Sequence, residues 1–146
     1  MATQIVGGEL PRMKPFTPAP RLDKRHRAKE AEAMKVISTQ NADHYQWGEN
    51  CEGWHLVKSD ALSIIQERMP PGTAEVRHYH HQARQFFFVL SGAATMEING
   101  EIFTLQAQQG IEIPAGTPHQ MRNESDADVV FLVTSMPRSH GDRIEV

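Results

Sequence analysis

From position 62 onward, apolar and polar residues alternate in short runs broken by turn residues, the pattern of strands half-buried on one face. Leu62–Met69 alternates weakly and stops at Pro70-Pro71-Gly72. Ala74–His80 follows, then Gln85–Leu90, closed by Ser91-Gly92. Ala93–Ile98 and Glu101–Leu105 flank Asn99-Gly100, two residues that accept positive φ and so suit a two-residue hairpin. Ile111–Ile113 ends at Pro114-Ala115-Gly116, and His119–Asn123 and Val129–Ser135 complete the series. About eight short strands at this spacing predict an all-β sandwich or barrel rather than a βαβ fold.

The first 33 residues read differently. They hold Pro11, Pro15, Pro18 and Pro20, few large apolar residues, and seven Lys/Arg against four Asp/Glu. Residues 1–20 bury too little apolar surface to offset the entropy of ordering them and are expected to be a flexible arm. Arg21–Met34 favours helix but offers little apolar face. The expectation is therefore a flexible or partly helical N-terminal extension over 1–33 and a β domain over 34–146. The extension reads either as a solvated tail or as an arm for a partner or nucleic acid. It lacks the apolar centre and cleavage site of a secretory signal, and Asp23, Glu30 and Glu32 count against a transit peptide. Met34 offers an alternative start.

Charge sharpens this division. The β domain carries eight Lys/Arg against fourteen Asp/Glu, so the overall charge of −3 conceals a basic arm on an acidic domain. That balance argues against a protein devoted to the nucleic-acid backbone. No apolar run approaches the ~18 residues that span a bilayer. A single cysteine, Cys51, excludes an internal disulfide and any zinc site built on several thiolates. A cytoplasmic location without membrane contact is expected.

Eight histidines in 146 residues call for an explanation. His78 and His80 point to one face of a strand while Arg77 and Tyr79 point to the other. Gln85 opens the next strand, and His119 and Asn123 lie beyond the Pro-Ala-Gly turn. Convergence on a barrel would give three imidazoles and one amide oxygen, a set suited to Fe, Ni, Cu, Zn or Mn.

These residues carry a resemblance. Gly72, His78, His80, Gln85 and Gly92 are spaced as in the first cupin motif, G-x5-H-x-H-x(3,4)-E-x6-G, with Gln85 where the pattern has Glu. Pro114, Gly116, His119 and Asn123 fit the second motif, G-x5-P-x-G-x2-H-x3-N, with Gln108 at the first Gly. Residues 55–135 thus resemble the small single-domain cupins. The resemblance implies a double-stranded β-helix, or jelly-roll, barrel holding one divalent transition metal (Fe, Ni, Zn or Mn). His78, His80 and His119 fall on its ligand positions and Gln85 on that of the carboxylate ligand.

Glutamine is neutral, so such a site binds a cation less tightly and favours an anionic or enolate substrate as the missing negative ligand. Gln85 is either a direct ligand or a hydrogen-bond partner of a ligand water. A general base is lacking unless Glu75, Glu97 or Glu112 reaches the site. His81 is expected to be exposed, and His26, His44, His55 and His140 to be solvated or structural. Parity turns Phe87 and Val89 inward with Gln85, and Phe86, Phe88 and Leu90 outward. Phe87, Met96, Phe103, Met121 and Phe131 are candidates for the pocket lining or the barrel core. Arg84 and Arg122 are the candidate grips for an anionic substrate. The outward apolar face implies a cover, and cupins resemble one another in dimerising there, so a homodimer is expected. The functional expectation is a dioxygenase acting on a small organic substrate. The alternatives are a metal-dependent lyase or isomerase, and a cupin that binds a small acid or sugar, or senses it, without turnover.

Overall fold

The alternating runs form antiparallel strands in the computed structural model, which describes residues 24–25 and 34–146. Lys24 and Arg25 are helical; the arm and helix expected over 1–33, and His26, otherwise lie outside the described residues. Val36–Val146 make one unit. Its strands are β1 (Asp43–Trp47), β2 (Cys51–Lys58), β3 (Ser63–Met69), β4 (His78–His80), β5 (Arg84–Ser91), β6 (Ala94–Ile98), β7 (Glu101–Leu105), β8 (Gly110–Ile113), β9 (His119–Arg122), β10 (Val129–Met136) and β11 (Arg143–Glu145). They build a six-stranded sheet in the order β1-β2-β3-β10-β5-β8 and a five-stranded sheet in the order β11-β4-β9-β6-β7. Among the described residues, no helix is long and apolar enough to cross a membrane.

Period-two burial fixes which side chains meet between the sheets. On β5, Gln85, Phe87 and Val89 are buried, while Phe86 is exposed and Phe88 and Leu90 are half-buried. Phe87, Val89, Met69, Phe131 and Val133 of the larger sheet join Ala94, Met96 and Met121 of the smaller in a single core. Burying a side chain of this size contributes about 1.5–3 kcal/mol. Asn99 and Gly100 both take positive φ (50° and 87°) in the β6–β7 hairpin. Gln108 has φ 67°, which explains why the second motif ordinarily begins with glycine.

The strand reading needs two corrections. β1, β2 and β11 were not anticipated: β1 (DHYQW) and β11 (RIE) are edge strands with little apolar alternation. The strand expected over Ala74–His80 is confined to His78–His80, with an isolated bridge from Ala74 to Arg122. Residues 72–75 instead bond across to the end of β9: Gly72 N donates to Asn123 O (2.9 Å), Asn123 N to Thr73 O (2.9 Å) and Glu75 N to Met121 O (3.0 Å).

Candidate metal centre and its cavity

His78 and His80 reach the interior from alternate positions of β4, and His119 comes from the start of β9, directly opposite His78 in register. All three are buried, and one ligating nitrogen from each lies within 4.8 Å of the others. A carbonyl oxygen only accepts, so the bonds of His78 Nδ1 to Val76 O (2.7 Å) and of His119 Nδ1 to Thr117 O (2.9 Å) place the proton on Nδ1. Nε2 of both rings is then an acceptor. Burial keeps all three imidazoles neutral: it pulls His78 down to about 3 and His80 to about 4, and lowers His119. Neutral imidazole is the ligating form.

Gln85 enters the same cavity from β5. Its amide Nε2 donates to Ser135 Oγ at 3.0 Å, so its carbonyl is the group left over. Gln85 Oε1, His119 Nε2 and His80 Nδ1 are buried without a protein partner. Buried acceptors without donors are costly and rare, and a cation satisfies acceptors. The donor set therefore fits a divalent metal ion. Asn123, by contrast, is structural: its Nδ2 donates to Met69 O and Ala127 O (2.8 Å each), and its Oδ1 accepts from Ser125 N and Oγ.

The cavity beside these groups has a volume of about 600 Å³ and is bordered by His78, His80, Gln85, Phe87, Ile65 and Val133. Of the candidate lining residues only Phe87 faces it. Met96, Met121 and Phe131 are wholly within the core, and Phe103 packs against that core. His55 and His140 border the cavity rather than stand apart from it, while His81 is exposed. Neither candidate arginine faces it: Arg84 lies 3.6 Å from Glu112 and Arg122 lies 3.1 Å from Glu124.

The cavity lining also carries groups that the motifs do not mark. Of the three glutamates considered, Glu75 borders the cavity, whereas Glu97 is bound by Arg77 (2.9 Å) and Glu112 lies beside Arg84. A second carboxyl, Glu67 of β3, joins it. Tyr45, Gly53 and Glu67 stand abreast on β1, β2 and β3, and the Tyr45 phenol crosses Gly53 to donate to Glu67 Oε1 at 2.7 Å. A Cβ at position 53 would collide with the Tyr45 ring, so this reach requires glycine. Met121 N donates to Glu75 Oε1 at 2.8 Å. Burial pushes Glu67 up to about 7, against the pull of the Tyr45 hydrogen bond. It pushes Glu75 up to about 8, with the charge of Glu67 adding to the effect. Arg143 of β11 also borders the cavity. The available signal for Glu67 was parity, because a charged residue shares the inward face of Ile65 and Met69.

The second motif and the neutral ligand set now have a common setting, and residues 65–135 match the family model of the cupin domain. Residues 65–135 are a cupin domain. The chain is 37% identical over 69 residues to the polyketide synthase protein CurC of Streptomyces cyaneus, a match covering 47% of this chain and 45% of CurC. This cupin thus aligns with less than half of that relative. A Thermotoga maritima protein described as a predicted oxalate decarboxylase superposes with a TM-score of 0.66 at 18% identity, covering 71% of this chain and 100% of that one. The polyketide cyclase RemF of Streptomyces resistomycificus gives a TM-score of 0.66 at 17% identity, covering 77% and 85%. These likenesses establish the cupin fold.

Proposed function

We propose that this cupin is a metal-dependent enzyme that moves a proton on a small enolisable substrate, in the manner of a lyase, isomerase or cyclase. The observation that carries the reading is the pairing of two protonatable carboxyls, Glu67 and Glu75, around one cavity with the imidazoles of His78 and His80, to which His119 adds a third ligating nitrogen within 4.8 Å. The resident ion would be held by His78, His80 and His119, with Gln85 Oε1 as a fourth donor. When bound, it supplies Lewis-acid stabilisation of negative charge on a carbonyl oxygen. The chain supplies the proton transfer. A carboxylate accepts the proton from the carbon beside that carbonyl, and its protonated neighbour returns one to the product. Carboxyls that titrate near neutrality suit both halves of this exchange. Phe87, Ile65 and Val133 keep the site dry on the core side. The names of CurC and RemF support the substrate class, since polyketides are chains of enolisable carbonyls.

A dioxygenase reading rests on the same three histidines, with Gln85 adding no charge to the ion. The two readings separate in one experiment. Metal content is measured on untagged, unstripped protein, and then 2,4-pentanedione is followed in D2O for α-proton exchange and for oxygen uptake with Fe(II). Exchange without oxygen consumption, lost in Glu67→Gln or Glu75→Gln, is expected. Oxygen uptake stoichiometric with substrate loss establishes the dioxygenase, and metal binding with neither activity establishes a binding or sensing cupin. Well under one metal equivalent per chain sinks the metal reading.

We also propose a homodimer through the outer face of the six-stranded sheet. Phe86 is 44% exposed there, and its ring centroid lies 6.1 Å from that of the half-buried Phe88. Light scattering that gives a monomer at micromolar concentration overturns it.

A further inference from the structure

The wall of the cavity nearest the C-terminus is a segment that the cupin motifs leave out. Ser139, His140, Gly141 and Arg143 border the cavity in one stretch. This stretch is fastened down rather than loose. Asp142 Oδ2 accepts from Gln82 N and Ala83 N at 2.9 Å each, Asp142 O accepts from His81 N (3.3 Å), and Arg143 stands opposite His80 in the β11–β4 ladder. Such anchoring holds a recognition wall at a fixed distance from the imidazoles.

Arg143 is the cation of this wall. Its Nη2 donates to Val76 O at 3.1 Å, the carbonyl that also accepts from His78 Nδ1 at 2.7 Å. One carbonyl oxygen therefore separates the guanidinium from a candidate metal ligand. The carboxylate of Glu145 is 3.9 Å from Nε and 65% exposed, too long and too solvated to occupy the fork. A guanidinium has five N–H donors in a plane, and this one has most of them free for a bidentate oxyanion. Among the described residues, Arg143 is the one Lys or Arg side chain that borders the cavity.

We propose that Ser139–Arg143 is the substrate-recognition wall of the cavity, with Arg143 clamping an oxyanion group, carboxylate or phosphate ester, of the enolisable substrate. The inference rests on the reading of this cavity as the substrate site. It names the substrate as an anionic carbonyl compound whose charged group lies close to its enolisable end. Arg143 takes the role for which Arg84 and Arg122 were the candidates in the sequence.

The test uses the full chain loaded with Zn(II), which is redox-inert, and titration calorimetry with two β-diketones. Succinylacetone carries a carboxylate, a short ethylene spacer from its diketone, where 2,4-heptanedione has a methyl group. Wild type is expected to prefer succinylacetone by about tenfold or more, the gain of one charge-assisted pair. Arg143→Gln is expected to bring the preference to within about twofold, with metal content unchanged, and Arg143→Lys to retain part of it. A wild-type preference near unity overturns the proposal, as does a preference that survives in Arg143→Gln. Competition with acetate and inorganic phosphate assigns the source: stronger competition by one names the carboxylate or the phosphate ester, and competition by neither overturns the clamp. If the chain holds no metal, the proposed function fails separately. The clamp is then read on the metal-free chain by 31P line broadening of inorganic phosphate, which must vanish in Arg143→Gln for the proposal to stand.

Discussion

The two ends of the barrel interior are built from the same strands and hold opposite chemistry. On β5 the inward positions run from Gln85 through Phe87 to Val89, and on β10 from Ser135 through Val133 and Phe131 to Val129. β3 passes from Ser63 and Glu67 to Met69, and β9 from His119 to Met121. At one end apolar side chains interdigitate around the fully hydrogen-bonded Asn123; at the other, imidazoles, amides and carboxyls surround a cavity. The apolar end sets the register, because a slip of one residue would turn every inward side chain of a strand outward. The polar end inherits its geometry from that register. Positions near 63, 78, 85, 119 and 135 are thereby free to carry chemistry instead of packing.

Substitutions at the two ends are expected to separate binding from stability. Replacing His78 and His80 together with alanine should take bound metal from near one equivalent to near none by elemental analysis. The fold should survive, since the core lies elsewhere. Phe131→Ala, at the apolar end, should lower unfolding free energy by about 3–5 kcal/mol in denaturant titrations. Metal stoichiometry of the folded fraction should be unchanged; a loss of metal there would mean that the two ends are not separable. Gln85→Glu places a carboxylate beside the imidazoles and should tighten divalent-ion binding about tenfold or more in competition with a chelator. An unchanged affinity would remove Gln85 from the ligand set.

Glu67→Gln tests the carboxyl pair through pH. The folded chain holds the Glu67 proton up to about 7, above the ordinary carboxyl value of the unfolded chain. The folded state therefore binds more protons between these limits, and wild-type stability drains away as pH rises through them. Tyr45, Glu75 and Arg143 face the same carboxyl and remain in the variant. The melting temperature of Glu67→Gln relative to wild type should thus be more favourable at pH 8 than at pH 5. A difference independent of pH would place the Glu67 pKa near its ordinary value. The smallest effect belongs outside the barrel. Arg84→Ala removes an exposed pair with Glu112 and should change stability by less than about 0.5 kcal/mol, with no effect on diketone affinity.

What was legible in the sequence follows the same division. The histidine wall was readable because alternation puts His78 and His80 on one face of a short strand, and the resemblance of Pro114, Gly116, His119 and Asn123 to the second cupin motif adds His119 to them. The apolar end was readable from alternation, though Met96, Met121 and Phe131 could be placed inside without saying whether they touched the cavity. The carboxyl wall was not readable. Tyr45, Glu67 and Glu75 come from separate segments, and only the sheet order β1-β2-β3, which no local pattern encodes, carries the Tyr45 phenol to Glu67. Ser135 is similar: it meets Gln85 because β10 and β5 pair in a register set fifty residues away. Arg143 lies on a strand of three residues, too short for any periodicity.

Gly53 shows what this costs in freedom to vary. In an ordinary strand, alanine in place of glycine is favourable by roughly 0.5–1 kcal/mol. Here the added methyl would displace the Tyr45 ring and leave Glu67 without the donor that restrains its proton affinity. A residue with no side chain, standing between two groups that border the cavity, is thereby tied to the chemistry of that cavity. At this position a substitution that a stability criterion would recommend is one that the Tyr45–Glu67 contact forbids.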